Sequence, residues 1–277
     1  MAKKLSYLLL IFHIPLLLQA LNEPTGTGAR SKGMGGISVA LVDFWAMQNN
    51  QAIMPFYEKM AVGVYCDNRY LLKETSTEAV GFVFPATKKN DYFGLSLNHY
   101  GGGNFGNLQA GLAYAKSFAK VFSFGLQFDY LYNYFGDATY GHRSGFTFEI
   151  GMYGQITQEF SIGCHLYNPA RLRMITYNEV KEYIPTLLRL GVAYNFHKQC
   201  LVGLDIEKNL DTKMQYLAGV EYIFTEHFIL RGGLRLPDFS FSLGMGTKLK
   251  NMAIDLALSY HTYLGISPQI SVLYNIK

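Results

Sequence analysis

The chain has 277 residues, of which 49% are hydrophobic and only 16% charged, with 28 Gly, 21 Tyr and 20 Phe. Soluble proteins carry about a quarter charged residues, so this balance excludes a surface that faces only water. The formal charge of +4 falls by two to +2 without Lys3 and Lys4, and no basic cluster follows, which excludes nucleic acid as a partner.

Taken in order, the chain opens with MAKKLSYLLLIFHIPLLLQA, in which two lysines precede an apolar run from Leu5 to Leu18 and a small residue at Ala20. A basic start, a short apolar core and a small-residue exit predict a cleaved secretory signal peptide over 1–20; the apolar run is too short for a membrane span. The three cysteines, Cys66, Cys164 and Cys200, lie far apart and are odd in number, which suits apolar packing better than a disulfide framework or a metal site.

Residues 21–58 form a second region, containing PTGTGARSKGMGGISVALVDFWAMQNNQAIMPF from Pro24 to Phe56. Its glycines at 26, 28, 33, 35 and 36 lack the strand before and the long helix after that a phosphate-cradling loop needs. Tight turns and close backbone approach inside a barrel mouth are the expectation instead. A short helix is expected over Asp43 to Asn49, around the only tryptophan. Its residues Phe44, Trp45 and Met47 would either plug the structure or line a path for an apolar ligand, since both uses need the same composition.

From 59 to 277 the sequence alternates by twos. Phe122, Phe124, Leu126, Phe128 and Tyr130 oppose Ser123, Gly125, Gln127 and Asp129; Leu188, Leu190 and Val192 oppose Arg189 and Gly191; Phe239, Phe241, Leu243 and Met245 oppose Ser240, Ser242 and Gly244. Successive side chains of a strand point to opposite faces, so each run is a strand with one greasy and one polar face. Counting from Met60 gives about 14 strands of a length that spans a bilayer when tilted. Short polar turns separate most of them, longer Gly- and Tyr-rich connections are expected at 101–106 and 135–145, and within Tyr167–Phe196 a long rim loop is expected from Asn168-Pro169 to Glu182.

Two architectures satisfy that pattern, a soluble sandwich with the greasy face in a core and a membrane barrel with the greasy face in lipid. The length of the aromatic faces, the signal peptide and the inward charges favour an all-β transmembrane antiparallel barrel. Asp205, Glu207, Glu221, Arg231, Arg235, Lys248 and Asp255 fall on polar faces of neighbouring strands and predict an ion-pair network in the lumen. The histidines lack ligand spacing and no nucleophile, base and acid group together, so no catalytic, cofactor or metal site is expected.

GARSKGMGGISVAL followed by a short helical stretch and NNQA, together with the later YIPTLLRLGVAYNF, resembles the FadL-related outer-membrane barrels of the PorV/PorQ type. Many relatives show Asn-Pro-Ala-Gly where this chain has Asn49-Asn50-Gln51-Ala52. The resemblance implies a barrel of fourteen strands behind an N-terminal segment, in the outer membrane of a Gram-negative, Bacteroidetes-like organism. It implies a non-enzymatic part in protein export of the type IX kind or in surface assembly, with secreted proteins or secretion components as partners beside outer-membrane lipid and lipopolysaccharide. The FadL relationship implies a second possibility, transport of hydrophobic or small amphipathic molecules, with the N-terminal segment as a hatch.

Overall fold

The computed structural model describes residues 26–86, 90–136, 141–176 and 182–276. The expected signal peptide at 1–20 and the first residues of the 21–58 region lie outside the described residues.

Sixteen strands follow in chain order: β1 (Met60–Asn68), β2 (Ser76–Pro85), β3 (Asp91–Gly102), β4 (Phe105–Phe118), β5 (Phe122–Phe135), β6 (His142–Gln155), β7 (Phe160–Tyr167), β8 (Arg173–Thr176), β9 (Glu182–Tyr183), β10 (Leu187–Phe196), β11 (Cys200–Asn209), β12 (Gln215–Thr225), β13 (Phe228–Leu236), β14 (Ser240–Leu249), β15 (Met252–His261) and β16 (Gly265–Ile276). β8 and β9 form a small hairpin between β7 and β10, so fourteen of the sixteen described strands make the wall. Each wall strand pairs antiparallel with its neighbours, β7 with β10 across the hairpin, and β16 returns to β1 in register Met60↔Ile276 to Asp67↔Gln269. That seam closes the sheet into a barrel and leaves no wall edge unpaired, the condition for a sheet in hydrocarbon.

The outer face carries the apolar half of the alternation. Phe146 is 70% exposed, Phe128 65% and Leu243 59%, and Leu or Val side chains continue the belt around the wall. A surface of this kind far exceeds the apolar patch a soluble monomer tolerates, and it matches a lipid-facing band. The polar half points inward, where Gln127, Asp129, Glu149, Arg231 and Asp255 are all buried.

The connection expected at 101–106 is a tight turn instead, because β3 continues to Gly102 and β4 begins at Phe105 in direct register with it. Gly101 has a φ of 125°, and a Cβ there would lie 2.4 Å from the Phe105 carbonyl oxygen, so glycine permits the hairpin to stay tight. Of the connection expected at 135–145, all but 137–140 is described. Within the rim loop expected from Asn168 to Glu182 the chain forms β8 and reaches β9, and β10 takes up the wall again from Leu187.

Candidate functional site: inner segment and charged mouth

Residues 27–57 run against the inward face of the wall. They form three short helices, α1 (Ala29–Gly33), α2 (Ala46–Asn49) and α3 (Met54–Tyr57), each too short to persist alone. The wall holds them. A Cβ on Gly163 would lie 1.9 Å from the Val39 carbonyl oxygen, and one on Gly233 would lie 2.1 Å from the Gly35 nitrogen, so two backbones touch where strands lack side chains.

The Asn49-Asn50-Gln51 triplet supplies the polar attachment. Asn49 Oδ1 accepts from the Thr27 amide at 2.9 Å, and its Nδ2 donates to the Thr27 carbonyl at 2.8 Å. Asn50 Nδ2 donates to the Val39 carbonyl at 2.8 Å and to the Met152 carbonyl on β6 at 3.1 Å. Gln51 donates to Gln127 at 3.2 Å and also to Glu149. Three successive side chains therefore tie the segment to itself and to two strands, a task that a proline at 50 and an alanine at 51 could not perform.

On the wall from β10 to β15 the attachment is ionic. Arg30 on α1 holds Glu221 through two nitrogens, at 2.8 and 2.7 Å, and donates to the Val42 carbonyl at 2.7 Å. Glu221 also accepts from Arg231 at 2.7 Å, and Arg231 Nη1 lies 2.8 Å from Asp255 Oδ1. Higher in the barrel, Glu207 sits between Arg189 at 2.7 Å and Arg235 at 2.8 Å. Asp205 accepts from the Ser38 and Val39 amides at 2.7 and 3.1 Å. Burial raises the Asp43 carboxyl above its ordinary range, an effect that the nearby Arg30 charge opposes.

Of the seven residues expected in a lumen network, Glu207, Glu221, Arg231, Arg235 and Asp255 come together as ion pairs. Asp205 is buried beside them but serves backbone amides. Lys248 does not join: it is exposed next to the β14–β15 turn and makes no ion pair among the described residues. Alternation gave its face correctly and could not give its height in the barrel. Sequence reasoning missed Arg30 as the partner of Glu221. Arg189 stood at an inward position of its strand, which was the signal available for it.

Phe44, Trp45 and Met47 are packed in the largest buried cluster with Ala29, Met54, Tyr65 and residues of β1 to β4. Trp45 meets Phe44 edge-on at 5.0 Å and Tyr65 at 5.8 Å. Phe44 rests on Gly63 and Met47 on Gly81, where any Cβ would lie within 3 Å of them.

Above α1 lies a cavity of about 270 Å³ lined by ends of β1 and of strands β10 to β16. Lys32, Arg69, Arg189 and Arg235 face it against the buried carboxylates Asp67 and Glu207, with Asp238 exposed at the rim. Four cations against three anions leave an excess of one positive charge (4 − 3). Arg69 lies 3.5 Å from Asp67. The Lys32 side chain makes no hydrogen bond or ion pair among the described residues. Burial, reinforced by the three arginines and opposed by Asp67, pulls its ammonium down to about 8.

No family model and no curated protein matches the sequence. Solved structures do match the fold. The toluene transporter TbuX of Ralstonia pickettii superposes with a TM-score of 0.67 at 14% identity, covering 91% of this chain and 98% of that one. The fold is that of the FadL-type outer-membrane barrels. The P. putida toluene transporter TodX gives a TM-score of 0.67 at 14% identity over 92% and 99% of the two chains, and a Pseudomonas aeruginosa FadL homologue gives 0.65 at 13% over 91% and 98%. These FadL-type neighbours are described as transporters or as a FadL homologue, and at such identity the likeness is one of fold.

Proposed function

We propose that the chain is a non-enzymatic outer-membrane channel of FadL type that admits hydrophobic or small amphipathic molecules into a Gram-negative cell. The observation that carries this reading is the closed barrel with a polar-latched segment inside it and a cavity above that segment. An inner segment held by hydrogen bonds and ion pairs suits a passage that is normally obstructed and admits selected molecules. The likeness in fold to toluene transporters supports the same choice. Export across the inner membrane through the leader at 1–20 would precede insertion, and outer-membrane lipid and lipopolysaccharide would then surround the belt.

The part in protein export that the PorV/PorQ resemblance implies has the sequence motifs behind it and ranks second. Both readings are separated by one deletion strain assayed two ways, for uptake of small hydrophobic and amphipathic probes and for the surface proteome. Slower uptake with an unchanged proteome supports the channel. Missing surface proteins with normal uptake would sink it and restore the export role, with secreted proteins or secretion components as partners.

A further inference from the structure

We propose that the mouth cavity is a binding site for a compact organic anion, a single-ring carboxylate or a molecule of similar size and charge. The inference rests on the channel reading and narrows its substrate class from hydrophobic or amphipathic molecules to negatively charged ones.

Three observations point there. The cavity of about 270 Å³ lies just under the ~300–1,000 Å³ of ordinary small-molecule sites, so its occupant is compact. Its lining is charged and hydroxylated: four cations stand with Ser240, Ser242, Ser259 and Gln269, while Leu217 is one of the few aliphatic side chains. A neutral hydrocarbon would gain little from such walls and would strip water from the cations without replacing it.

The charge distribution then selects the sign. Arg189 and Arg235 share one carboxylate, Glu207, and Arg69 has Asp67 nearby. Lys32 is left facing the cavity with no direct partner among the described residues, beside three like charges. A carboxylate placed against it would accept charge-assisted hydrogen bonds and relieve the crowding of positive charge. The position of Lys32 is fixed from below, because α1 is clamped through Arg30 two residues earlier. The cation is held ready and does not have to be gathered on binding.

The test uses the full-length protein in detergent and in liposomes, with benzoate and toluene as probes, which match in size and differ in charge. Calorimetry is expected to show benzoate binding that toluene does not displace. Lys32→Gln should weaken benzoate by about tenfold or more, the loss of one charged hydrogen bond, and Lys32→Arg should restore it. Lys120→Gln, on an exposed turn, should leave it unchanged. Benzoate that fails to bind, or binds Lys32→Gln as well as the parent, overturns the site. If toluene enters liposomes while benzoate neither binds nor enters, the anion site is wrong and the channel reading survives. If benzoate binds and neither probe enters, the site stands and the channel reading falls.

Discussion

The two halves of the barrel hold the same inner segment by different chemistry. From β3 to β7 the inward face is built largely of amides and buried acids: Gln109 and Gln127 both donate to Asp129, and Gln127 and His165 both reach Glu149. From β10 to β15 it is built of arginine–carboxylate pairs. In the first half Gln51 is inserted among the amides; in the second the cavity opens above α1. Neutral amides tolerate dense packing, whereas guanidinium groups need space for several donors and keep water or a ligand near them. The difference suggests that the amide half fixes the segment and the ionic half presents it.

The strongest way to break this contrast is to attack the shared backbone contact. Gly163→Ala would put a methyl group on the Val39 carbonyl, where neither backbone has room. It should destabilise by more than about 4 kcal/mol, among the largest effects of a single substitution, and should show as a lost heat-resistant band on electrophoresis and an inner segment open to protease. Next comes the ionic half. Glu221→Gln removes the carboxylate that Arg30 and Arg231 share, leaving Arg231 only Asp255, and removing one partner of a buried pair costs about 3–5 kcal/mol; urea unfolding in liposomes should register it. In the amide half, Asn50→Ala should cost less, about 1–3 kcal/mol, the penalty for depriving the Val39 and Met152 carbonyls of this donor, read by the same titration. If Asn50→Ala proved the more damaging of the two, the division of labour would be reversed.

The smallest effect sharpens the comparison without unfolding anything. The Lys32 ammonium is held near 8 against an ordinary 10.5, so it is charged below that pH and neutral above. Benzoate binding should therefore weaken as pH rises from 7 to 9, as the Lys32 ammonium loses its proton beside Asp67, Glu207, Arg69, Arg189 and Arg235. A flat profile in calorimetry would mean that the arginines, and not Lys32, hold the anion.

The wall was legible in the sequence because a strand's period of two is a local property, repeated in Phe122 to Tyr130, Leu188 to Val192 and Phe239 to Met245. The same rule put Glu207, Glu221 and Arg231 on the inner face. It could not say that Arg30 would meet Glu221, since 191 residues separate them and the segment that carries Arg30 has no period to read. The triplet at 49 to 51 looked like a departure from a motif; its meaning lies in partners at 27, 39, 127, 149 and 152 that only the closed ring brings near. Lys248 shows the converse limit, a residue on the expected face at a depth where there is nobody to pair with.

Helix α1 is only five residues long, and it carries both Arg30 and Lys32. One side chain grips the wall from below while the other faces the cavity above, so any displacement of the helix would move both. Whatever occupies the mouth and whatever loosens the grip then act on a single rigid body. By thermodynamic reciprocity, a cargo that draws Lys32 towards itself changes the hold of Arg30 by the same factor by which a weakened hold changes the affinity for cargo.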